Sequence, residues 1–357
     1  MLHLLLVRRA IFDCLGRGHD PNPGDMIELQ TPRGLSVAVP ESLEEDPSER
    51  FAPDDVDAIQ AYFLENGYVV VKGVVPAQTC RTMRAIWDDK VKPCDTFIYR
   101  QTTAKAEKHR FNENGWVMNP ILNLQSLDPQ RLGEVRRFAC ENVLTAPLLV
   151  KVFSALLGDL PKIVQSMYFE GNSATWEHQD TYYLDSETSG RMAGAWIALE
   201  PIAAEAGRFF VCPHSHQLEL DRHSVENNMA DNHEVYIASV VDKIRLQGLA
   251  IRAPLLEMGD VLFWNSKTIH GSLDSQHALS ARSSVTCHAI PARDRFKQMQ
   301  ARVIDVPTDR VNGIEIFRPK DLTRWRNRLI LYVESRFPGP FYRLKQYAIR
   351  SLVAHTD

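Results

Sequence analysis

The stretch KIVQSMYFEGNSATWEHQDTYYLD, residues 162–185, contains two runs rich in β-branched and aromatic residues, separated by Gly171 and Asn172. Such runs are typical of strands. The second run carries His178 and Asp180 two positions apart, and residues i and i+2 of a strand face the same side. The pair is therefore half of a metal site, a buried ion pair or a surface coincidence.

Five further short runs follow, and each is apolar or alternating and bounded by Gly, Pro or Asp. They are RMAGAWIALE, GRFFVCP, LAIRAPLLEMGDVLFWN, TIHGSL and RSSVTCHAI. Several short strands in series indicate a β-sandwich or jelly roll. We therefore expect a mainly β fold with flanking helices (α+β).

The composition limits the classes of protein that fit. The chain has 357 residues, enough for one large catalytic domain with extensions. Its 44% hydrophobic and 24% charged residues are ordinary for a globular protein. The net charge of −4 argues against a general nucleic-acid binder, so we expect no nucleic acid as partner.

Helical periodicity precedes the strand series. We predict helices over 54–66, 77–91 and within 132–157. Gly67 and Gly158 would end the first and the last of them, because glycine is favoured just after a helix.

The beginning of the chain looks like an arm. Its first apolar run is broken by Arg8 and Arg9, so we expect a short amphipathic helix and neither a signal peptide nor a transmembrane segment. Residues 21–53 are rich in Pro, Asp and Glu, with one possible strand pair over 26–39.

The tail over 318–350 holds nine Lys or Arg against Asp321 and Glu334, with aromatic residues between them. We expect a pair of helices packed on the core with a solvated basic face. The alternative is a weak contact with an anionic surface, substrate or carrier.

Six scattered cysteines form no C-x-x-C pair. Buried free thiols in a reducing compartment are the simplest interpretation, so we expect a cytoplasmic protein.

A metal centre for oxygen chemistry needs two histidines and one carboxylate, which leave open coordination positions. His270, in TIHGSL, is the candidate for the third ligand beside His178 and Asp180. Arg282 follows twelve residues later, and a buried arginine needs an anion such as the far carboxylate of a dicarboxylate.

Three other histidines are alternative candidates for metal ligands. His214 and His216 form an H-x-H pair, but their loop-like surroundings favour a structural role. His288 is more consistent with a core position or a place beside the ligands.

Taken together, these motifs make the chain resemble the phytanoyl-CoA dioxygenase family of non-haem iron(II), 2-oxoglutarate-dependent oxygenases. The resemblance covers residues 54–290 and lies in FLENGYVVVKGVVP, LLGD, HQD, AWIALEPIAAEAGRFFVCPHSH and GDVLFW followed by IHGS and Arg282. It implies a double-stranded β-helix (jelly-roll, cupin-like) core. An N-terminal arm (1–53) and a basic helical C-terminal extension (291–357) would flank this core.

The resemblance also implies roles for individual residues. Three match the positions of the iron(II) ligands: His178, Asp180 and His270. Four match positions that bind the co-substrate 2-oxoglutarate: Arg282 at its distal carboxylate, Ser272 beside it, and Gln165 and Trp196 on the pocket wall. The chain departs from the family at His214, where glycine is common, and at Ser275, where asparagine is common.

The implied activity is a dioxygenase that consumes O2 and releases succinate and CO2. Related halogenases have a small residue at the carboxylate position, so Asp180 implies hydroxylation or another oxidation. The substrate would be a small molecule, either a secondary metabolite or a lipid-like or acyl compound. The alternatives are a catalytically silent cupin-like binding or scaffold protein, and a hydrolytic or isomerising metalloenzyme, which would not need Arg282 or Gln165.

Substrate contacts are expected in the polar, aromatic segment 94–128, because long loops in compact domains are often lids or binding segments. The two tyrosines after the H-x-D motif are further candidates. The candidate residues are Arg100, His109, Arg110, Trp116, Tyr182 and Tyr183.

Overall fold

Short strands dominate the second half of the chain, as predicted, and helices lie mainly before and after them. The computed structural model describes residues 26–220, 229–275, 277–298 and 302–353.

The described helices are α1 (Val56–Asn66), α2 (Ala77–Ile86), α3 (Gly133–Phe138), α4 (Pro147–Leu157), α5 (Met229–Gln247), α6 (Trp325–Arg336) and α7 (Pro338–Val353). Wider π-helical turns continue α2 and α3: Trp87–Val91 and Ala139–Val143.

The described strands before the H-x-D motif and up to it are β1 (Ile27–Gln30), β2 (Ser36–Val39), β3 (Arg50–Phe51), β4 (Tyr68–Val71), β5 (Ile98–Tyr99), β6 (Ala106–Glu107), β7 (Ile121–Leu122), β8 (Pro161–Phe169) and β9 (Ser173–His178). Those after it are β10 (Leu184–Ser186), β11 (Ala193–Ala198), β12 (Phe209–Val211), β13 (Val261–Asn265), β14 (His270–Asp274), β15 (Ser284–Pro291), β16 (Phe296–Gln298), β17 (Arg302–Ile304), β18 (Thr308–Val311) and β19 (Ile314–Phe317).

Two sheets build the core. The larger one has the order β18-β19-β8-β15-β11-β13-β4-β3, with β7 also paired to β8, and the smaller one has the order β12-β14-β9. Strands that are distant in sequence pair directly, such as β8 with β15 and β9 with β14. The fold is the predicted jelly roll, mainly β with flanking helices.

The first predicted helix is confirmed as α1. Its apolar side chains Ile59 and Phe63 are one turn apart and buried. Gly67 has a φ of 77° and donates its N–H to the Phe63 carbonyl, which ends the helix in the left-handed conformation.

The helical pattern over 132–157 is two helices, α3 and α4. Ala146, just before Pro147, has a φ of −54° and a ψ of 134°, which is outside the helical region. The proline ring disfavours a helical residue before it, so the chain breaks here and restarts at Pro147. Gly158 ends α4 with a φ of 65°, as predicted.

The described part of the arm packs on the core. The predicted strand pair is confirmed as β1 and β2, with Gly34 at a φ of 77° in the turn. Val37 and Val39 are buried in one cluster with Phe210 and Leu273 of the smaller sheet. Residues 1–25, where an amphipathic helix was expected, lie outside the described residues.

The extension after residue 290 is helical only in part, so the prediction of a helical extension is wrong for β16 to β19. Strand β19 runs parallel to β8 in the larger sheet, and Ile314 and Ile316 are buried. The overlooked signal is Asn312–Gly313, since both residues have positive φ, as the tightest hairpin turns require.

Helices α6 and α7 form the expected pair, and buried Glu334 joins them to the β5–β6 hairpin. Its carboxylate accepts hydrogen bonds from Tyr99 Oη at 2.8 Å, the Ala106 N–H at 3.0 Å and Tyr342 Oη. Since Glu334, Tyr99 and Ala106 are all buried, the Tyr99 hydroxyl and the Ala106 N–H have no ready access to water as an alternative acceptor.

We expect Glu334→Ala to lower the free energy of unfolding by about 2–3 kcal/mol, because buried donors lose a charged acceptor. Denaturant unfolding measures the change. Glu334→Gln keeps an acceptor of similar shape and should lose less. If both variants stay within about 0.5 kcal/mol of the parent, this anchor does not stabilise the fold.

Two further observations concern the chain as a whole. The five cysteines that the structure describes are free. Across the described ranges, no single helix meets the length and hydropathy needed to cross a membrane. One pair, Gly133–Val143 with Pro147–Leu157, bent by 59°, meets them together.

Candidate metal centre and active site

The ends of two paired strands position the histidines. His178 is the last residue of β9 and His270 is the first residue of β14, and the two lie opposite each other in the antiparallel register. Asp180 follows in a short 3-10 turn, Asp180–Tyr182, and not in the strand as the H-x-D spacing suggested. The turn nevertheless brings its carboxylate to the histidines.

The three side chains converge on one point. Asp180 Oδ1 lies 3.5 Å from His270 Nε2 and 3.9 Å from His178 Nε2. One ligand atom from each residue lies within 4.8 Å of the others, and all three residues are buried. It is the one group of histidines, cysteines and carboxylates within the described ranges whose spacing suits a metal ion.

Backbone carbonyls fix the orientation of both imidazoles. His178 Nδ1 lies 2.8 Å from the Trp176 carbonyl, and His270 Nδ1 lies 2.9 Å from the Thr268 carbonyl. A carbonyl can only accept, so each Nδ1 donates its proton and each Nε2 keeps a lone pair facing Asp180. This donor set fits a divalent metal ion.

The protonation states agree with that fit. Burial, reinforced by His270, lowers the pKa of His178 to about 3, and burial also lowers the pKa of His270. Burial alone would raise the pKa of Asp180, but the neighbouring His270 and His288 outweigh it and hold that pKa below its ordinary value. Neutral imidazoles and an ionised carboxylate are the forms that bind a metal.

The other carboxylate oxygen is held from behind. Trp264 donates its indole N–H to Asp180 Oδ2 at 2.8 Å, and His288 Nε2 lies 3.3 Å from the same oxygen. Trp264 was not predicted to take part in the site. No local signal marks it, because it looks like any buried aromatic residue of a strand.

We expect Trp264→Phe to weaken iron(II) binding by about 10–100-fold, since the ring is kept but the hydrogen bond that orients Asp180 is lost. Anaerobic titration with iron(II) measures the affinity. The matched control is Trp87→Phe, a buried tryptophan in the helical layer away from this site. Equal affinities in both variants would assign Trp264 to packing alone.

Arg282 faces the same space as a buried cation. It is 2% exposed, its Nη1 donates to the Gly207 carbonyl, and its Nε has no hydrogen-bond partner. The guanidinium carbon lies 4.9 Å from the ring centre of Phe169 and 5.9 Å from that of Trp196. Burial lowers the pKa of Arg282 to about 9, although Asp274 opposes the shift.

One cavity of about 650 Å³, the metal cavity, contains these groups. Most of its lining residues lie on the two sheets, and Gln101, Thr102 and Ala104 of the β5–β6 turn also line it. Eight residues singled out from the sequence line it: Gln165, His178, Asp180, Tyr183, Trp196, His270, Ser272 and Arg282.

The remaining substrate candidates are not among the residues that line the metal cavity. Arg100 donates to the carbonyls of Glu107 and Asn119, and His109 Nε2 lies 2.9 Å from the Val91 carbonyl. Arg110 is exposed, while Trp116 lies under the Lys92 ammonium. Tyr182 stacks on a tyrosine of α5.

The structure also shows where the three alternative ligand candidates lie. His214 Nδ1 and His216 Nε2 each lie 3.0 Å from backbone carbonyls, those of Glu65 and Leu64, in the loop beside α1. His214 has a φ of 65°, the left-handed conformation that explains why glycine suits this position. His288 lines the metal cavity beside Asp180, as the placement near the ligands predicted.

A glycine lets the strands that carry His178 and His270 approach each other. A Cβ on Gly271, directly after His270, would lie 2.6 Å from the Thr175 carbonyl oxygen of β9. Any larger residue would push β14 from β9 and separate the histidines.

Comparison with known families agrees with this geometry. A family model described as phytanoyl-CoA dioxygenase (PhyH) matches residues 63–279, which include His178, Asp180 and His270. The chain belongs to the phytanoyl-CoA dioxygenase family. The match ends before Arg282, so the C-terminal strands and helices of this family member lie beyond it.

Individual relatives share part of the chain. This phytanoyl-CoA dioxygenase family member is 27% identical over 274 residues to phytanoyl-CoA dioxygenase domain-containing protein 1 of Bos taurus, covering 64% of this chain and 88% of the relative. The Mus musculus protein of the same name is 27% identical over 264 residues, with the same coverage.

Solved structures are more distant. The EctD structure from S. alaskensis with 2-oxoglutarate and 5-hydroxyectoine has a TM-score of 0.48 and 17% identity, and covers 84% of this chain and 99% of that one.

Proposed function

We propose that the chain is an iron(II)- and 2-oxoglutarate-dependent dioxygenase that oxidises a C–H bond of a small molecule. The observation that carries the proposal is the buried Arg282 cation in the same cavity as the His178, Asp180 and His270 cluster. A hydrolytic metal site needs no such cation, whereas a dicarboxylate co-substrate needs one.

The residues fit the metal by donor type, protonation and orientation. His178, Asp180 and His270 would hold iron(II) as two imidazoles and one carboxylate, which leaves positions for other ligands. When bound, iron(II) with 2-oxoglutarate supplies the activation of O2 for oxidising an unactivated C–H bond, with release of succinate and CO2.

The chain's own groups bind and orient the co-substrate. Arg282 presents a planar guanidinium, with Nε free of protein partners, and this would bind the distal carboxylate of 2-oxoglutarate. Ser272 Oγ lies on the same wall and accepts a hydrogen bond from Asn172 at 2.8 Å, which leaves its proton for a ligand. Gln165 and Trp196 would complete this pocket.

Aromatic side chains exclude water from the ligands. The ring centres of Phe209 and Trp264 lie 5.3 and 5.0 Å from that of His270, and both aromatic residues are buried. A dry wall strengthens every charge interaction inside the cavity. The distal carboxylate would therefore be held more tightly than at an exposed arginine.

We propose hydroxylation as the outcome, because Asp180 occupies the carboxylate position. Among the candidate substrate residues, we restrict the proposal to Tyr183, which lines the metal cavity. The five free cysteines that the structure describes support a reducing compartment, and we infer the cytoplasm.

The first experiment is anaerobic addition of iron(II) and 2-oxoglutarate to the purified protein. We expect one iron(II) per chain and the weak visible absorption of the iron–2-oxoglutarate chelate. Succinate release with candidate substrates, and a product heavier by one oxygen, would then test hydroxylation. Protein that binds no iron(II) would be a silent binding protein of this fold.

The C-terminal helices support a separate proposal about a partner. Exposed apolar side chains concentrate on them: Trp325, Leu329, Ile330, Tyr332, Phe337, Leu344 and Tyr347. Four exposed arginines lie among these and make no ion pair with another described residue: Arg326, Arg328, Arg336 and Arg343. Aromatic and basic groups together suit the headgroup region of an anionic membrane, and we propose that this face contacts such a surface.

Sedimentation with vesicles tests that contact. We expect binding to phosphatidylcholine vesicles only when phosphatidylserine is added, and roughly tenfold or greater weakening in Arg326→Glu/Arg328→Glu, at about 1 kcal/mol per charge. The control Arg131→Glu/Arg137→Glu reverses two exposed charges outside the C-terminal helices. Self-association without vesicle binding would instead assign the face to a second copy of the chain.

A further inference from the structure

A second cavity of about 400 Å³, the side cavity, adjoins the metal cavity. Residues shared by the two walls form the junction between them: Ala104, Leu122, Gln165, Tyr183 and Leu184. A molecule in the side cavity is therefore separated from the metal cavity only by these side chains. The volume is within the range of small-molecule sites.

The walls of the side cavity are mainly apolar. They come from residues 96–99, from residues 122–132, from β8 and from the C-terminal extension. The apolar residues are Phe97, Ile98, Leu127, Leu132, Val164, Phe296, Phe317, Leu322 and Leu331. Such a surface favours an apolar body over a polar one.

Two lysines, Lys320 and Lys345, are the cations on these walls, and neither lines the metal cavity. Lys320 Nζ lies 4.1 Å from the ring centre of Tyr99, and burial lowers its pKa although Glu334 opposes the shift. Among the described residues, no carboxylate lies within 4.0 Å of either ammonium group. One acidic residue, Asp128, also lines the side cavity, and its Oδ1 accepts a hydrogen bond from the Gln130 N–H.

We propose that the side cavity binds the apolar body of an amphipathic anion and that Lys320 and Lys345 bind its carboxylate or phosphate group. The proposal rests on the proposed function, because it names the substrate class of the same enzyme. The anionic group would lie beyond the junction, and the other end of the molecule would reach the metal cavity past Gln165 and Tyr183.

The match to the family model ends at residue 279, so both lysines belong to a part of the chain that the model does not match. The anchor through Glu334 fixes this part to Tyr99, the residue under Lys320. The C-terminal extension would therefore determine specificity in this chain, while the matched part supplies the metal ligands.

Calorimetry with three probes tests the proposal: dodecanoate, dodecyl phosphate and dodecan-1-ol, each below its micelle concentration, added to full-length protein under anaerobic conditions. We expect at least one of the two anions to bind tenfold or more tightly than the alcohol. The preferred anion distinguishes a carboxylate from a phosphate source. Equal binding of all three, or binding of none, would overturn the proposal.

Variants locate the site. Lys320→Gln should weaken binding of the preferred anion about tenfold or more. Leu331→Trp fills the side cavity and leaves both lysines in place, so it should weaken the binding of all three probes. Lys105→Gln is the matched control, because exposed Lys105 lies over the same Tyr342 ring as Lys345 but lines neither cavity. An unchanged Kd in both Lys320→Gln and Leu331→Trp would place the probes elsewhere.

Binding of iron(II) and 2-oxoglutarate, measured in the same samples, separates the two proposals. Lys320→Gln should leave both unchanged. Lysine-dependent probe binding by a protein that binds no iron(II) would refute the dioxygenase and keep the side cavity as a ligand site.

Discussion

His178→Ala is expected to abolish binding of iron(II) at micromolar concentrations and, with it, the visible absorption of the chelate with 2-oxoglutarate. Changes behind a metal ligand alone cost about 10–100-fold in affinity, so loss of the ligand itself should cost more. The remaining pair, Asp180 and His270, would offer only two of the three donors.

Stability separates this effect from unfolding. His178 is 9% exposed, and burial lowers its pKa, so its imidazole is neutral. Replacement by alanine therefore removes packing contacts but no ion pair that the fold needs. We expect the apo-protein to melt cooperatively within a few degrees of the parent. His216→Ala is the matched control, since its Nε2 lies 3.0 Å from the Leu64 carbonyl of α1 and the residue does not line the metal cavity. Iron(II) binding that survives in His178→Ala would place the metal elsewhere.

Arg282→Gln should raise the 2-oxoglutarate concentration needed for half-saturation by roughly 10²- to 10³-fold. Removing one partner of a buried ion pair costs about 3–5 kcal/mol, and each tenfold change is about 1.4 kcal/mol. Iron(II) affinity should stay unchanged, because Arg282 contributes no ligand atom to the cluster. Arg282→Lys keeps the charge but loses the planar guanidinium. Its 2-oxoglutarate concentration for half-saturation should lie between those of the parent and Arg282→Gln.

A thermal shift distinguishes binding from a structural role. Added 2-oxoglutarate with iron(II) should raise the Tm of the parent and have little effect on Arg282→Gln, because a ligand stabilises only the state that binds it. Arg208→Lys is the control, a buried arginine that donates to the carbonyls of Ile202 and Pro40. If Arg282→Gln lowered Tm without changing the 2-oxoglutarate shift, Arg282 would be a packing residue only.

Features that depend on a few neighbouring residues were predictable from the sequence. Gly67 and Gly158 end helices because only a residue that tolerates positive φ fits there. The strand runs were recognised because the side-chain period of a strand is two. His178, Asp180, His270 and Arg282 were found through motif spacing and family resemblance, and the structure places all four in one cavity.

Local patterns did not give the positions of side chains that tertiary contacts set. The segment 94–128 was predicted to bind substrate through Arg100, His109, Arg110 and Trp116, but the residues of it that line the metal cavity are Gln101, Thr102, Ala104 and Leu122. Arg100 is fully buried against backbone carbonyls instead. Polarity alone does not reveal which way a side chain points in an irregular segment.

The sequence by itself determined the class of fold, the helix ends and the candidate side chains for binding a metal and a co-substrate. Only the tertiary structure decided that Trp264 donates a hydrogen bond to Asp180, that Glu334 ties α6 to the β5–β6 hairpin, and that Lys320 lines a cavity next to the metal cavity. The physical reason is range. Periodicity and turn chemistry act between neighbours in sequence, whereas these contacts join strands and helices that only the register of the folded sheets brings together.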